Sequence, residues 1–225
     1  IIKKKINILF GNFFIMTNKS HRSFICGIKG KYLSQNEIGF LKKYKPWGII
    51  LFSRNINSIN QTQELTNSIK KIFKNKNYPI MIDEEGGRVS RLRKFIDNSI
   101  FSAEYFGKLF NKDKKKFNLY YNVYVKQISY LLKLLGININ TVPVLDLKRK
   151  NFNKIVDDRS FSSNKKIVSS MGDICINHFH KNGVATVMKH IPGHGLAKVD
   201  SHKNLPKISK NEDYLVKNDF YTFKN

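Results

Sequence analysis

Short, unbroken apolar runs alternate with longer amphipathic segments along this 225-residue chain. Four apolar runs have the length of β-strands and lie at 24–28, 48–52, 79–82 and 184–188, and the segment 137–147 holds one or two further strands around Pro143. Runs that are apolar at nearly every position indicate strands buried on both faces, which is typical of a parallel sheet covered by helices. The pattern therefore predicts an α/β fold, either a closed (β/α) barrel or an open doubly wound sheet.

Five further segments carry the periodicity or the end signals of α-helices, and they lie at 34–44, 58–73, 117–135, 164–181 and 209–218. Ser34 followed by Glu37 forms the capping-box pattern that marks a helix start. Gly136 and the pair Asn182-Gly183 mark two helix ends. Helices and strands alternate with neither a linker nor a short repeat between them, so we expect one domain.

The formal charge of +25 is the most unusual number in the composition. Of the 41 basic residues, only 7 are arginine and the rest are lysine. Lysine has A/T-rich codons, so a base-composition bias explains the charge without selection for binding. The lysines are also dispersed, whereas nucleic-acid surfaces favour clustered arginine with interleaved aromatics. We predict no specific nucleic-acid partner, and a basic polyanion-binding protein is a distant alternative.

Compartment and processing follow from the cysteines and from the first residues. No window approaches 18 consecutive apolar residues, so we predict no membrane segment. Cys26 and Cys175 are too few for a disulfide framework and fit a reducing compartment, which favours the cytoplasm. Residues 1–15 precede Met16. We interpret them as an upstream extension outside the fold rather than a secretion signal, because no small-residue cleavage site follows their apolar stretch.

Polar residues follow three of the predicted strands directly, namely Asp83, Asp146 and the pair Lys189-His190. In a (β/α) barrel the carboxyl ends of the strands carry the chemistry. An aspartate in this position can instead cap the next helix. Three strand ends with such residues favour a functional site over three separate caps.

The segment 82–91 places three carboxylates after a strand, followed by two glycines and two arginines. The glycines permit close backbone approach and unusual φ values. Neighbouring arginines keep carboxylates ionised. Such a cluster suits a ligand rich in hydroxyl groups, such as a sugar. The alternative is a salt-bridge network that closes the end of a barrel.

The segment 189–195 forms a second motif, which is followed by Asp200-Ser201-His202. Asp200 can reach the His202 ring and orient it, so the pair is a candidate general acid/base. The alternative is a loop held by its own hydrogen bonds. A zinc site from the histidines of this motif and Asp200 is disfavoured, because Pro192 and Gly193 exclude a helical His-x-x-x-His pair. We predict neither a metal nor a cofactor.

Six motifs occur in an order that resembles glycoside hydrolase family 3, in its branch of bacterial β-N-acetylhexosaminidases. They lie at 48–55, 82–91, 143–146, 158–161, 189–195 and 200–202. The resemblance covers about residues 24–220 and implies a (β/α)8 TIM-type barrel. It also implies hydrolysis of terminal β-linked N-acetylglucosamine from cytoplasmic peptidoglycan recycling fragments, without a cofactor.

The resemblance also implies roles for individual residues. The sugar-binding residues would be Asp83, Arg91, Arg159, Lys189 and His190. His202 would be the general acid/base and Asp200 its orienting partner. The family mechanism is retaining, with a carboxylate nucleophile that forms a glycosyl-enzyme.

No aspartate after His202 has the sequence context of that nucleophile. We expect the nucleophile and the last barrel strands beyond residue 225, so that 16–225 form the N-terminal majority of one glycosidase barrel domain. The isolated chain would then be catalytically silent. The alternatives are an inactive sugar-binding remnant and another family 3 β-glycosidase.

Two residues depart from the family pattern. Glu84 stands where the family commonly has glutamine, and its charge either raises the pKa of a neighbouring acid or faces solvent. Asp157 stands where glycine commonly precedes the Asp-Arg motif.

Overall fold

The structure is a computed structural model that describes residues 21–149, 156–199 and 204–224. Its five strands form one parallel sheet in the order β1-β2-β3-β4-β5. The strands are β1 (Arg22–Gly27), β2 (Pro46–Leu51), β3 (Ile80–Ile82), β4 (Ile139–Asn140) and β5 (Ala185–Thr186). An isolated parallel bridge between Val144 and Lys189 continues the pairing past β4 and β5.

The strand order separates the two α/β architectures that the sequence pattern left open. A doubly wound sheet reverses its strand order at a switch point. Within the described residues each strand pairs with the next one along the chain, and no reversal occurs. This is the order of a (β/α) barrel, of which the described strands form a consecutive part.

Seven α-helices lie in the described residues. They are α1 (Gln35–Tyr44), α2 (Ile59–Ile72), α3 (Ala103–Lys112), α4 (Lys114–Leu134), α5 (Lys165–Lys181), α6 (Glu212–Lys217) and α7 (Tyr221–Lys224). The capping box of α1 is confirmed: the Ser34 hydroxyl accepts from the Glu37 N–H, and the Glu37 carboxylate accepts from the Ser34 N–H. None of the described helices is long and apolar enough to cross a membrane.

The largest difference from the sequence prediction is α3, which the five predicted helices did not include. Ser102 caps its first turn through a hydrogen bond from the Tyr105 N–H. Asp113 alone separates α3 from α4, and its side chain caps α4. The long helix predicted at 117–135 therefore begins three residues earlier, at Lys114.

The core lies between the sheet and the helices that cover it. Ile80, Met81 and Ile82 are all buried, so β3 is covered on both faces. In β2, Ile49 and Leu51 are fully buried on one face, and Ile50 on the other face is partly buried. The α4 helix contributes four fully buried apolar side chains, Phe117, Val125, Ile128 and Leu132. The predicted strand at 137–147 shortens to two residues before Pro143, which has no N–H for the ladder.

Candidate active site

The carboxyl ends of β3, β4 and β5 bring polar side chains to one edge of the sheet. Asp83 follows β3 and Thr141 follows β4 directly, and Lys189 lies three residues after β5. The Lys189 ammonium donates to Asp83 Oδ1 over 2.9 Å and to Thr141 Oγ1 over 3.0 Å. Its Nζ also lies 2.6 Å from Glu85 Oε1. One lysine therefore joins two carboxylates from the segment after β3.

Two arginines complete this cluster, Arg91 from the same segment after β3 and Arg159 from the segment after β4. Arg159 binds Glu85 with two parallel hydrogen bonds, Nε to Oε2 over 2.8 Å and Nη2 to Oε1 over 2.9 Å. Arg91 Nη2 lies 3.6 Å from Asp83 Oδ2. Arg159 Nη2 also lies 3.3 Å from His190 Nε2. The fold thus brings together all five residues that the resemblance identifies as sugar-binding.

The charges of the cluster stabilise one another. Burial by itself raises the pKa of Asp83, but Lys189, a hydrogen bond from Thr141 and Arg91 lower it below its usual value overall. The pKa of Glu85 is likewise raised by burial and lowered more strongly by Arg159 and Lys189. Both carboxylates are therefore ionised at neutral pH. Such preorganised charged groups bind hydroxyl groups through charge-assisted hydrogen bonds.

His190 is oriented by a buried carboxylate. Its Nδ1 lies 2.6 Å from Asp146 Oδ2, and the Asp146 side chain is wholly inaccessible to solvent. A guanidinium only donates, so His190 Nε2 accepts from Arg159 and Nδ1–H donates to Asp146. With both ring nitrogens engaged, the His190 ring is fixed in one orientation between Arg159 and Asp146.

Asp146 also holds the loop that carries His190. Its Oδ1 accepts from the backbone N–H of His194 over 2.7 Å and from that of His190 over 3.4 Å. The sequence placed Asp146 at a strand end but left it out of the predicted site. Glu85 and Thr141 were also left out: Glu85 lies three residues after the predicted strand at 79–82, and Thr141 lies within the predicted strand segment 137–147.

Glu84 does not face solvent, so that alternative from the sequence is wrong. The side chain is buried, and its carboxylate accepts from the backbone N–H groups of Arg91 and Leu92 and from the Asn98 amide. Burial raises the pKa of Glu84 despite these hydrogen bonds. This carboxylate therefore anchors the loop 84–98 and lies apart from the Lys189 cluster.

Backbone conformation explains two sequence features near the site. Gly86 and Gly87 have φ values of 83° and 57°, and a side chain on Gly86 would collide with the Phe101 carbonyl. Asp157 has φ 23°, a region that glycine adopts more readily. Glycine at this position in the family pattern is therefore explained by the turn that presents Arg159.

Asp200, His202 and residues 1–15 lie outside the described residues, so the Asp–His dyad and the upstream extension remain predictions. Across 21–149, 156–199 and 204–224, no three His, Cys, Asp or Glu side chains are grouped as a metal site requires.

Relatives of known sequence match most of this chain. A β-hexosaminidase from Haemophilus influenzae is 31% identical over 206 residues, which cover 90% of this chain and 56% of that protein. Beta-hexosaminidase A from Pseudoalteromonas piscicida is 31% identical over 192 residues, 81% of this chain and 31% of that protein. The chain therefore spans 56% and 31% of the length of these two relatives.

Solved structures share the fold. NagZ from Neisseria gonorrhoeae superposes with a TM-score of 0.79 at 28% identity, over 91% of this chain and 59% of that one. A family 3 β-N-acetylglucosaminidase from Paenibacillus superposes with a TM-score of 0.76 at 26% identity, over 93% of this chain and 39% of that one. Residues 25–225 match the glycosyl hydrolase family 3 N-terminal domain. The ordered motifs, the consecutive parallel strands and this match together show that the chain belongs to glycosyl hydrolase family 3.

Proposed function

We propose that the protein carrying this chain is a retaining exo-β-N-acetylglucosaminidase that acts on peptidoglycan recycling fragments in the cytoplasm. The observation that carries the proposal is the convergence of Asp83, Arg91, Arg159, Lys189 and His190 at one sheet edge. A Neisseria gonorrhoeae NagZ structure contains N-trifluoroacetyl-D-glucosamine, which supports a sugar of the N-acetylglucosamine type. Both described cysteines are free, in keeping with a reducing compartment.

The proposed mechanism divides the work between binding and acid/base groups. Asp83 and Lys189 hold hydroxyl groups of the terminal sugar, while Arg159 and His190 bind it from the neighbouring loop. His202, oriented by Asp200, protonates the leaving oxygen and then activates water. A nucleophilic aspartate, which we expect beyond residue 225, forms the glycosyl-enzyme. Residues 16–225 supply the N-terminal majority of this single barrel domain.

Hydrolysis of 4-nitrophenyl N-acetyl-β-D-glucosaminide by the full-length protein, which includes the segment that we expect beyond residue 225, tests this proposal. We expect turnover of this substrate and no turnover of the matching 4-nitrophenyl β-D-glucoside. Hydrolysis of the glucoside would indicate the alternative, another family 3 β-glycosidase. Asp83→Asn should lower kcat/KM by about 100-fold or more, since it removes a charged group that binds the sugar. Asp173→Asn, on the exposed side of α5, is the matched control and should leave the rate unchanged.

The result that contradicts the proposal is equal hydrolysis by the wild type and Asp83→Asn, or no hydrolysis by the wild type. If the wild type binds N-acetylglucosamine without hydrolysing the substrate, the inactive sugar-binding remnant replaces the enzyme as the better account.

A further inference from the structure

The α4 helix carries apolar residues on two opposite sides. Its inner side packs on the core through Val125, Ile128 and Leu132. An α-helix turns by about 100° per residue, so positions 119, 123 and 130 lie within about 40° of one another and opposite the inner side. These positions form the outward stripe of α4, and they hold Leu119, Val123 and Tyr130, which are 59%, 44% and 64% exposed. A surface helix ordinarily has polar residues there, so the outward stripe indicates an interaction surface.

The charged residues of α4 are all lysines. The helix contains five exposed lysines and neither aspartate nor glutamate. By helical geometry Lys126 lies within the outward stripe, and Lys116 and Lys133 flank it on either side. The outward side of α4 is therefore apolar along its centre and positively charged along both borders. A base-composition bias accounts for the number of lysines in the chain, but it does not account for an exposed stripe with an apolar centre.

Acidic residues near α4 offset little of this charge. Asp113 caps the first turn of α4, where it accepts from the Lys116 N–H over 2.9 Å. Glu104 on α3 already lies 3.0 Å from the Lys108 ammonium and 2.8 Å from that of Lys148. The helices α2 and α5 hold one acid each and more lysines than acids. A partner that approaches the outward stripe therefore meets net positive charge.

The same charge distinguishes the possible partners. A second copy of this chain fits poorly, because two packed α4 helices would bring together five lysines from each copy with no acid on either helix. An acidic protein would match the charge. Protein interfaces, however, are enriched in arginine and depleted in lysine, and α4 contains no arginine. An anionic partner with an apolar layer beneath its charges fits both features of the stripe.

We propose that the outward side of α4 binds the surface of a bilayer that contains anionic phospholipids. Leu119 and Val123 enter the boundary of the acyl layer, while the lysine stems extend along it and carry their ammonium groups to the phosphates. Tyr130 suits the headgroup level, because its ring is apolar and its hydroxyl group is polar. The helix then lies along the bilayer and does not cross it. None of these residues belongs to the Lys189 cluster, so the inference is independent of the proposed function.

Vesicle co-sedimentation of the full-length protein tests the inference. The probes are vesicles of phosphatidylcholine alone and vesicles of equal parts phosphatidylcholine and phosphatidylglycerol. We expect the wild type to bind the anionic vesicles more tightly by about tenfold or more. The affinity should fall as salt is added, because the lysines are exposed.

A first pair of variants tests the apolar part of the surface at constant net charge. Val123→Gln/Tyr130→Gln should weaken binding to the anionic vesicles by about tenfold, since it removes apolar area that enters the bilayer. Tyr32→Gln/Leu205→Gln changes two exposed apolar residues outside α4 and should bind like the wild type. Thermal unfolding followed by circular dichroism checks that both variants are folded.

A second pair of variants separates α4 from the general positive charge. Lys126→Gln/Lys133→Gln should weaken binding to the anionic vesicles by about tenfold. Lys42→Gln/Lys43→Gln removes the same charge from two exposed lysines of α1 and should weaken binding by less than about twofold.

Fluorescence gives a measurement that does not depend on lost binding. Tyr130→Trp should shift its emission to shorter wavelength when anionic vesicles are added, because the indole ring leaves water for the bilayer boundary. Tyr32→Trp is the control and should show no shift. Equal emission with and without vesicles in Tyr130→Trp would contradict the inference.

Further results would overturn the inference. Equal affinity of the wild type for both vesicles removes the anionic lipid, and wild-type affinity in Val123→Gln/Tyr130→Gln reduces the binding to charge alone. Equal losses in the two lysine pairs would show that α4 is not the binding surface. Dimers in sedimentation velocity that Val123→Gln/Tyr130→Gln dissociates would identify a second copy as the partner. Binding to poly-L-glutamate without binding to vesicles would identify an acidic protein instead.

Discussion

At the residue scale, the site depends on which proton each group carries. Asp83 and Glu85 are held ionised by Lys189 and Arg159, and Asp146 holds the His190 ring with its proton on Nδ1. Lysine and arginine side chains donate hydrogen bonds and do not accept them, so these protonation states follow from the contacts and not from an assumed reaction. The consequences can be measured one residue at a time.

Asp146→Asn should weaken binding of N-acetylglucosamine by about 10- to 100-fold. An asparagine that still accepts from the His194 N–H presents its amide donors to His190 Nδ1. The ring must then carry its proton on Nε2, where it opposes the Arg159 donor. Calorimetry with a double-mutant cycle measures the effect, and in a His190→Ala background the same substitution should change affinity much less. Equal losses in both backgrounds would show that Asp146 does not act through His190.

Glu84→Gln should change how stability depends on pH. The folded-state pKa of Glu84 is raised by burial, so its contribution to stability is present below the ordinary value of 4.5 and is lost as pH rises through the folded pKa. Relative to Glu84→Gln, the wild type should therefore lose unfolding free energy from about pH 4.5 upward. Urea unfolding at several pH values measures this difference. Glu64→Gln removes an exposed carboxylate and controls for net charge, and an identical pH profile for wild type and Glu84→Gln would contradict the assignment.

At the element scale, local signals located most helices and strands, and non-local contacts decided the rest. The capping box at Ser34 and the apolar run before Asp83 were sufficient for α1 and β3. The α3 helix was missed although local signals for it exist, because Ser102 caps it and Phe106, Leu109 and Phe110 recur at helical spacing. Its packing was beyond local prediction, since Gly107 contacts the Phe161 backbone across 54 positions of sequence. The burial of Glu84 was also beyond local prediction, because its hydrogen-bond partners lie farther along the loop that follows it.

Gly107→Ala should destabilise the protein by about 1–3 kcal/mol, because the new methyl group collides with the Phe161 carbonyl. Gly39→Ala is the matched helical control, since no atom lies within 4 Å of its added methyl group. We expect it to be neutral or to stabilise by up to about 1 kcal/mol. Chemical denaturation of both variants gives the comparison, and equal effects would refute the close packing of α3 on the segment after the 157–159 turn.

At the scale of the whole molecule, the order of the strands in the sheet brings the residues of the site together. Alternating strands and helices are compatible with either α/β architecture, and only the pairing of each strand with the next identifies the barrel. That order gathers Asp83, Thr141 and Lys189 from three strand ends. Family motifs indicated which residues would meet, whereas the contacts of Asp146 and Glu85 with those residues emerge only from the structure.

The most direct test of the account is a crystal structure of the protein with N-acetylglucosamine bound. The account predicts the sugar at the carboxyl edge of the sheet, with its hydroxyl groups within hydrogen-bond distance of Asp83, Lys189 and Arg159. Sugar density elsewhere on the protein, with the Lys189–Asp83 and Arg159–Glu85 contacts intact beside an empty cluster, would contradict it.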